Sequence, residues 1–229
     1  ASERSSFMPK KKNKLYAVIG LGRFGFALAG ELSKKGCDVL AVDCDRQKVN
    51  AASEFTLNAF VVNELTSENL EEAGVGDADV AVICIGEKID VSILTTLTII
   101  RLGVPEVIAK ATSPEQGDVL KMLGAKVVYP ERDMALRLAA KLSSPHILEY
   151  ISLSDSVDIM EILITEKAAG KTVLELNVRK NYGLNIIAVN HAGEMITDIS
   201  PETEFALGDT VTVIGKTADV AKFEDYLAK

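Results

Sequence analysis

Six short apolar runs, each followed by a segment of helical length, constrain this chain more than any other feature. The runs are rich in Val, Ile, Leu and Ala and read LYAVIG, DVLAVD, NAFVV, DVAVICIG, EVIAKA and AKVVYP. Strands that are apolar on both faces belong in a parallel sheet with helices on each side. The pattern therefore predicts an α/β fold with a doubly wound parallel sheet, a Rossmann-like domain over residues 14–130.

The pattern changes beyond this domain. Residues 131–152 include ERDMALRLAAKL, whose apolar residues have helical spacing and predict a connecting helix that Pro145 breaks or kinks. The runs SVDIMEILIT, LNIIAV, EMIT and TVTVIG then predict antiparallel strands, and ADVAKFEDYL predicts a closing amphipathic helix. Residues 153–229 are thus expected to form a small α+β domain, and residues 1–13 a disordered tail.

A glycine-rich motif follows the first strand directly. Gly20, Gly22 and Gly25 of GLGRFG have G-x-G-x-x-G spacing, a helical segment follows, and Asp43 ends the next strand eighteen residues later. Such glycines permit a tight turn and close approach of a diphosphate, and the helix N-terminus presents free N–H groups to it. We predict that the loop, with Phe24 in it, binds an adenine nucleotide and that Asp43 accepts ribose hydroxyls. The alternative is a glycine turn that binds nothing.

Arg23 bears on which nucleotide binds. A cation in the first turn of a helix opposes the macrodipole by several tenths of a kcal/mol, and the free terminal phosphate of ATP or ADP would offset that cost. The alternative is a solvated arginine. No catalytic or P-loop motif accompanies the glycine loop, so we predict a sensor and not an enzyme. An NAD(H)-binding redox sensor or dehydrogenase-like protein is the competing hypothesis, because Asp43 also suits NAD.

Further candidates follow from topology, because ligands of doubly wound sheets bind at the carboxyl ends of the strands. Three residues after the third strand are expected beside the adenine: Asn63, Glu64 and Leu65. Three at the end of the fourth strand are expected beside the phosphates and ribose: Ile85, Gly86 and Glu87. Lys110 ends the fifth strand and either faces the same crevice or is a solvated surface charge.

The runs AVIGLGRFGFALAGEL, VLAVDCD, SILTTL and YPERDMALRLA resemble the RCK, or KTN, regulatory proteins of bacterial potassium transport, in particular the KtrA-type subunits of the Ktr/Trk family. The resemblance covers the chain from about residue 12. It implies a cytoplasmic gating subunit that binds ATP or ADP without catalysis. It also implies a dimer and an octameric ring docked on an integral-membrane potassium-translocating subunit.

The resemblance assigns roles to single residues. It places Arg23 on the terminal phosphate and Glu131 beside the phosphates, with a divalent cation such as Mg²⁺; Glu131 is equally explained as a helix N-terminal carboxylate. Phe26 and Ala27 stand where many relatives have small residues, and Phe26 is expected to narrow the phosphate space. The C-terminal domain resembles the RCK C-lobe, which in several relatives binds cyclic di-AMP. That implies a second-messenger site, or else mere helix and turn caps, at four residues: Leu174, Arg179, Asn181 and Asn185.

The net charge and the cysteines limit which partners and which cellular compartment the sequence is compatible with. The formal net charge is −8, with 33 acidic and 25 basic residues, which argues against nucleic acid as a partner. Cys37, Cys44 and Cys84 have neither paired spacing nor an even number and predict a reduced cytosol. The longest apolar run falls short of the roughly 20 residues that a bilayer span needs. We therefore expect a cytoplasmic protein held at the membrane by its partner.

Overall fold

The computed structural model of the chain describes residues 13–154 and 156–228, so the predicted tail lies almost wholly outside the described residues. The chain divides into two compact units between Glu131 and Arg132. No helix in the described ranges combines the length and the hydropathy needed to cross a bilayer.

The N-terminal unit is built on a six-stranded sheet in which every pair of neighbours is parallel. Its strands are β1 (Leu15–Ile19), β2 (Asp38–Asp43), β3 (Asn58–Val61), β4 (Val80–Ile83), β5 (Glu106–Lys110) and β6 (Lys126–Val128). They lie in the order β3-β2-β1-β4-β5-β6. This is the order of a doubly wound Rossmann sheet, whose direction of winding reverses between β1 and β4. The predicted fold class is confirmed.

Helices cover both faces of this sheet. They are α1 (Arg23–Lys34), α2 (Arg46–Ala52), α3 (Ser67–Glu72), α4 (Ile89–Arg101) and α5 (Pro114–Met122), with a 3₁₀ turn at Val75–Asp77. Successive side chains of a strand point to opposite faces. Accordingly, Ala17 and Ile19 of β1 join one buried cluster while Val18 joins another. The sheet is therefore buried on both sides, which is why its strands are apolar throughout.

The connecting segment is only partly helical. Helix α6 (Pro130–Ser143) has no buried residue, and four of its apolar side chains are exposed: Met134, Leu136, Leu138 and Leu142. The helix ends before Pro145, whose ring clashes with a preceding carbonyl in a helix interior. The remainder of the segment predicted as helix is instead strand β7 (Ile147–Ser154).

The C-terminal unit contains a five-stranded antiparallel sheet in the order β10-β9-β11-β8-β7. Besides β7, its strands are β8 (Val157–Leu163), β9 (Asn185–His191), β10 (Glu194–Ile196) and β11 (Thr210–Lys216). Its helices are α7 (Val173–Leu176), α8 (Val178–Tyr182) and α9 (Thr217–Ala228). Ile162, Phe205 and Phe223 are fully buried in its core. The predicted α+β character is confirmed, and β7 is the strand that the sequence pattern did not predict.

Candidate functional site

The glycine loop lies where the strand order reverses, between the carboxyl ends of β1 and β4. Gly20 has a φ of +94°, and its N–H donates to the Val42 carbonyl at 2.8 Å. A Cβ at Gly25 would lie 2.0 Å from the Gly20 carbonyl oxygen, so only glycine lets α1 pack this closely. A Cβ at Gly22 would meet nothing within 4 Å. The first and third glycines thus shape the loop, while the second borders open space.

Helix α1 begins at this open space without a cap. Gly22 is its N-cap residue, no side chain accepts from its first N–H groups, and its first turn has no acidic residue. The first N–H groups of a helix have no intrahelical acceptor and carry partial positive charge. Arg23, which is exposed, adds a full positive charge in the same turn. The start of α1 therefore has the chemistry of an anion site.

Asp43 lies beside the loop and is already hydrogen bonded. It is 8% exposed, its Oδ2 accepts the Leu21 N–H at 2.6 Å, and its Oδ1 accepts the Asp45 N–H at 2.8 Å. The Lys48 ammonium lies 3.7 Å from Oδ2. Each carboxylate oxygen keeps a second lone pair. Asp43 thus ties the glycine loop to the turn after β2, and it retains acceptor capacity for a hydroxyl.

Lys110 faces the crevice between the strand ends. Its side chain is 11% exposed and forms an ion pair with Glu131. A Cβ at Gly86 would lie 3.3 Å from its ammonium. Burial raises the pKa of the neighbouring Cys84 thiol to about 12, against a lowering effect of the Lys110 charge. The Lys110 side chain is therefore largely buried beside Gly86 and Glu131 and is not a solvated surface charge.

Glu131 is the ion-pair partner of Lys110. The hydrogen bond from Lys110 chiefly lowers its pKa, against a smaller rise from burial, and the Arg23 charge also contributes to the lowering. Lys110 is thus the residue that contacts this carboxylate, and the Arg23 charge acts on it only through space. Within residues 13–154 and 156–228, no three His, Cys, Asp or Glu side chains are grouped to hold a metal. Glu131 alone fits a Mg²⁺ ion only if phosphate oxygens and water complete the shell.

The residues predicted beside the adenine and ribose differ in their exposure and contacts. Asn63 and Glu64 are exposed after β3, and the Glu64 carbonyl accepts the Asn69 side-chain amide at 2.8 Å. Leu65 and Ile85 are half-buried and pack on the N-terminal core, while Glu87 is exposed. The Phe26 ring packs edge to face on Phe55 at 5.3 Å, so its bulk lies in the contact of α1 with the chain after α2.

The four residues predicted for a second messenger lie around α7 and α8. Leu174 is 64% exposed, and Arg179 and Asn185 are also exposed. Asn181 donates from Nδ2 to the Leu176 carbonyl at 3.0 Å, which is a local capping contact. The Asn181 contact fits the capping alternative.

Sequence reasoning missed two side chains that shape the N-terminal site. Lys48 approaches Asp43 from α2, and Cys84 lies buried against the glycine loop and Lys110. Lys48 stands five residues after Asp43, a spacing with no recognised motif. Cys84 lies at the strand end that topology already marked, so its position was the available signal.

A Rossmann-like unit with a glycine loop and a cationic crevice, followed by a small antiparallel unit, defines the class of protein. Family models match both parts: the TrkA-N domain over residues 16–130 and the TrkA-C domain over residues 159–228. The chain belongs to the TrkA/Ktr family of RCK proteins. The resemblance stated from the sequence is confirmed.

Similar proteins match most of the chain. It is 37% identical over 219 residues to the Ktr system potassium uptake protein A of Bacillus subtilis, covering 95% of this chain and 99% of that protein. It is 35% identical over 207 residues to the Ktr system potassium uptake protein A of Vibrio alginolyticus, covering 90% and 94%. The TrkA-N domain of the Escherichia coli inner membrane protein ybaL is 21% identical, covers 57% of this chain and 96% of that one, and has a TM-score of 0.51. That last likeness shows the fold of the N-terminal unit.

Proposed function

We propose that this chain is the regulatory subunit of a potassium uptake system and that its N-terminal unit binds ATP or ADP. The observation that carries the proposal is the uncapped start of α1, which borders open space at Gly22 and has Arg23 in its first turn. A cation and free N–H groups beside open space suit a phosphate chain better than a neutral ligand. The similarity to Ktr system potassium uptake proteins along nearly the entire chain supports the regulatory role.

The nucleotide acts by shifting a conformational equilibrium. Two ligands change an equilibrium differently only when their contacts with the two states differ. ATP and ADP differ by one phosphate, and Arg23 is the exposed cation of the α1 first turn. Contact between that phosphate and Arg23 supplies the difference in binding energy between ATP and ADP. Asp43 receives the ribose hydroxyls, and the residues after β3 and β4 border the adenine and phosphates.

The assembly and its location follow from the family resemblance. The chain works in the cytoplasm as a dimer within an octameric ring, docked on an integral-membrane potassium-translocating subunit. It performs no catalysis, since its role is to report the nucleotide state to that subunit. Mg²⁺ binds with the nucleotide through phosphate oxygens and Glu131, and the C-terminal unit binds cyclic di-AMP near Arg179 and Asn185.

A thermal-shift series tests the proposal. Purified full chain is titrated with ATP, ADP, NADH and cyclic di-AMP, with and without Mg²⁺, while native mass is recorded in parallel. A ligand at 100 times its Kd stabilises the folded state by about 2.7 kcal/mol. We expect ATP and ADP to raise the melting temperature of a ring-sized species. Stabilisation by NADH alone would replace the proposal with the redox alternative.

Binding to the membrane partner needs its own measurement. Detergent-solubilised potassium-translocating subunit carrying an affinity tag is mixed with this chain in ATP or in ADP, and the retained complex is quantified. We expect retention in both states and different potassium flux after reconstitution. Identical flux with the two nucleotides would contradict the regulatory mechanism.

A further inference from the structure

The ion pair between Lys110 and Glu131 joins the ends of two neighbouring strands. Lys110 ends β5 and lies opposite Val128 of β6, and Glu131 follows Val128 by three residues in the first turn of α6. The Lys110 ammonium donates to Oε1 of Glu131. The pair therefore lies at the carboxyl edge of the sheet, where doubly wound folds bind their ligands.

Lys110 is the fixed member of this pair. Its side chain is 11% exposed, whereas the Glu131 side chain is 64% exposed. A Cβ at Gly86 would lie 3.3 Å from the Lys110 ammonium and 3.6 Å from its Cε, so the backbone after β4 confines the lysine. An exposed glutamate is free to turn to another partner, and a confined lysine does not follow it. A second cation that binds Glu131 therefore draws the carboxylate away from Lys110.

Neither member has a second ion-pair partner within residues 13–154 and 156–228. In those ranges Glu131 is the one carboxylate within 4 Å of the Lys110 ammonium, and Lys110 is the one cation within 4 Å of Glu131. The nearby Cys84 thiol has a pKa raised by burial to about 12, so it carries no charge at neutral pH. Lys110 thus supplies the contact that neutralises Glu131.

A divalent cation needs the same carboxylate. In the proposed function, Mg²⁺ binds phosphate oxygens and Glu131, and Mg²⁺ in proteins is commonly held by one or two carboxylates together with substrate phosphates. Two cations on one carboxylate repel each other, and the repulsion is stronger beside a partly buried ammonium than in water. Lys110 and Mg²⁺ are therefore alternative partners of Glu131.

We infer that Lys110 competes with the divalent cation for Glu131 and thereby sets the Mg²⁺ concentration at which the nucleotide site responds to the metal. The inference rests on the proposed nucleotide site and adds a regulating residue to it. At low Mg²⁺, Lys110 holds Glu131 and offsets its repulsion of the phosphates. At high Mg²⁺, Glu131 turns to the metal. Lys110 is a positioning residue here, because it acts on the nucleotide through Glu131.

Nucleotide affinity measured against free Mg²⁺ tests the inference. Calorimetry with the full chain gives the ATP affinity at a series of free Mg²⁺ concentrations buffered with EDTA, and the midpoint of the change is compared between variants. Formation of the Mg²⁺–ATP complex in solution is the same for every variant, so a difference in midpoint belongs to the protein. We expect Lys110→Met to lower the midpoint about tenfold, because the competing ammonium is removed.

Two further variants separate competition from a general loss of charge. Lys126→Met breaks the ion pair with Glu106 at the opposite ends of β5 and β6 and should leave the midpoint unchanged. In a Glu131→Gln background, adding Lys110→Met should not move the midpoint, because the shared carboxylate is gone.

The outcomes distinguish this inference from the proposed function. An unchanged or higher midpoint in Lys110→Met, with folding verified by circular dichroism, would overturn the inference. ATP affinity that is independent of Mg²⁺ in both wild type and Lys110→Met would overturn it too. Absence of ATP and ADP binding to wild type at every Mg²⁺ concentration would refute the proposed function, and the inference with it.

Discussion

Replacing Gly25 with alanine tests the geometry of the glycine loop directly. The added methyl would lie 2.0 Å from the Gly20 carbonyl oxygen and 3.0 Å from the Cys84 Cβ. Favourable contacts between heavy atoms need roughly 3.5 Å, so the loop or α1 must move by more than about 1 Å. Overpacking against such rigid backbone costs about 3 kcal/mol. For a unit of this size, that cost lowers the melting temperature by roughly 10 °C.

The assay is calorimetric unfolding of Gly25→Ala beside Gly22→Ala as the matched control. Gly22 has a φ of −69° and open space around its missing Cβ, so alanine there should change stability by less than about 0.5 kcal/mol. The same methyl enters the space proposed for the phosphates, so ADP affinity should fall about tenfold in Gly22→Ala. An unchanged melting temperature for Gly25→Ala would refute the packing argument, as would equal destabilisation of the two variants.

Three more predictions follow from the site. Asp43→Asn replaces one carboxylate oxygen with an amide NH₂ that faces a backbone N–H. Urea unfolding should show that the free energy of unfolding falls by about 2 kcal/mol. An unfolding free energy equal to that of wild type would contradict the hydrogen bonds assigned to Asp43. Burial raises the pKa of the Cys84 thiol from a reference of 9.0 to about 12, so its protonated form stabilises the folded state below pH 9 and this contribution is lost as pH rises from 9 to 12. At pH 8, iodoacetamide should label the exposed Cys44 and spare the buried Cys84, as read by mass spectrometry. Equal labelling of the two cysteines would contradict the burial of Cys84. The pKa of Glu131 is lowered in the folded state, so its charge stabilises the fold above pH 4.5 and this contribution is lost as pH falls below that value. In thermal unfolding at a series of pH values, Glu131→Gln should therefore lose less stability in acid than wild type does. The same pH dependence of the melting temperature in both proteins would contradict the Lys110 contact.

The sequence predicted the sheets better than the connection between the units. The parallel strands were recognisable because both of their faces are buried, which makes the apolar runs nearly continuous. Strand β7 was missed because its helical neighbour α6 has a strong 3.6-residue pattern and Pro145 suggests a kink as readily as an end. Its sequence, ILEYISLS, mixes apolar and polar residues, and most of its side chains are exposed. An edge strand that is half exposed leaves a weak signal in any single sequence.

The sequence indicated where the residues of the candidate site lie in the fold, but not which contacts their side chains make. Topology placed Lys110 at the carboxyl end of β5, where the structure has it. The pattern alone left open whether its side chain is buried, because that depends on the Glu131 carboxylate 21 residues away. Asp43 was predicted from its spacing to accept ribose hydroxyls. Its hydrogen bonds to the Leu21 and Asp45 N–H groups depend on how two loops meet, which spacing does not encode.

The most direct test of the account is the ratio of ATP to ADP affinity in wild type and in Arg23→Ala, measured by calorimetry. Arg101→Ala, which removes an exposed arginine from the last turn of α4, is the matched control. We predict that Arg23→Ala binds ADP within about threefold of wild type and loses the preference for ATP, while Arg101→Ala keeps both affinities. An unchanged ratio in Arg23→Ala, or an equal loss of both nucleotides, would contradict the proposal that Arg23 reads the terminal phosphate.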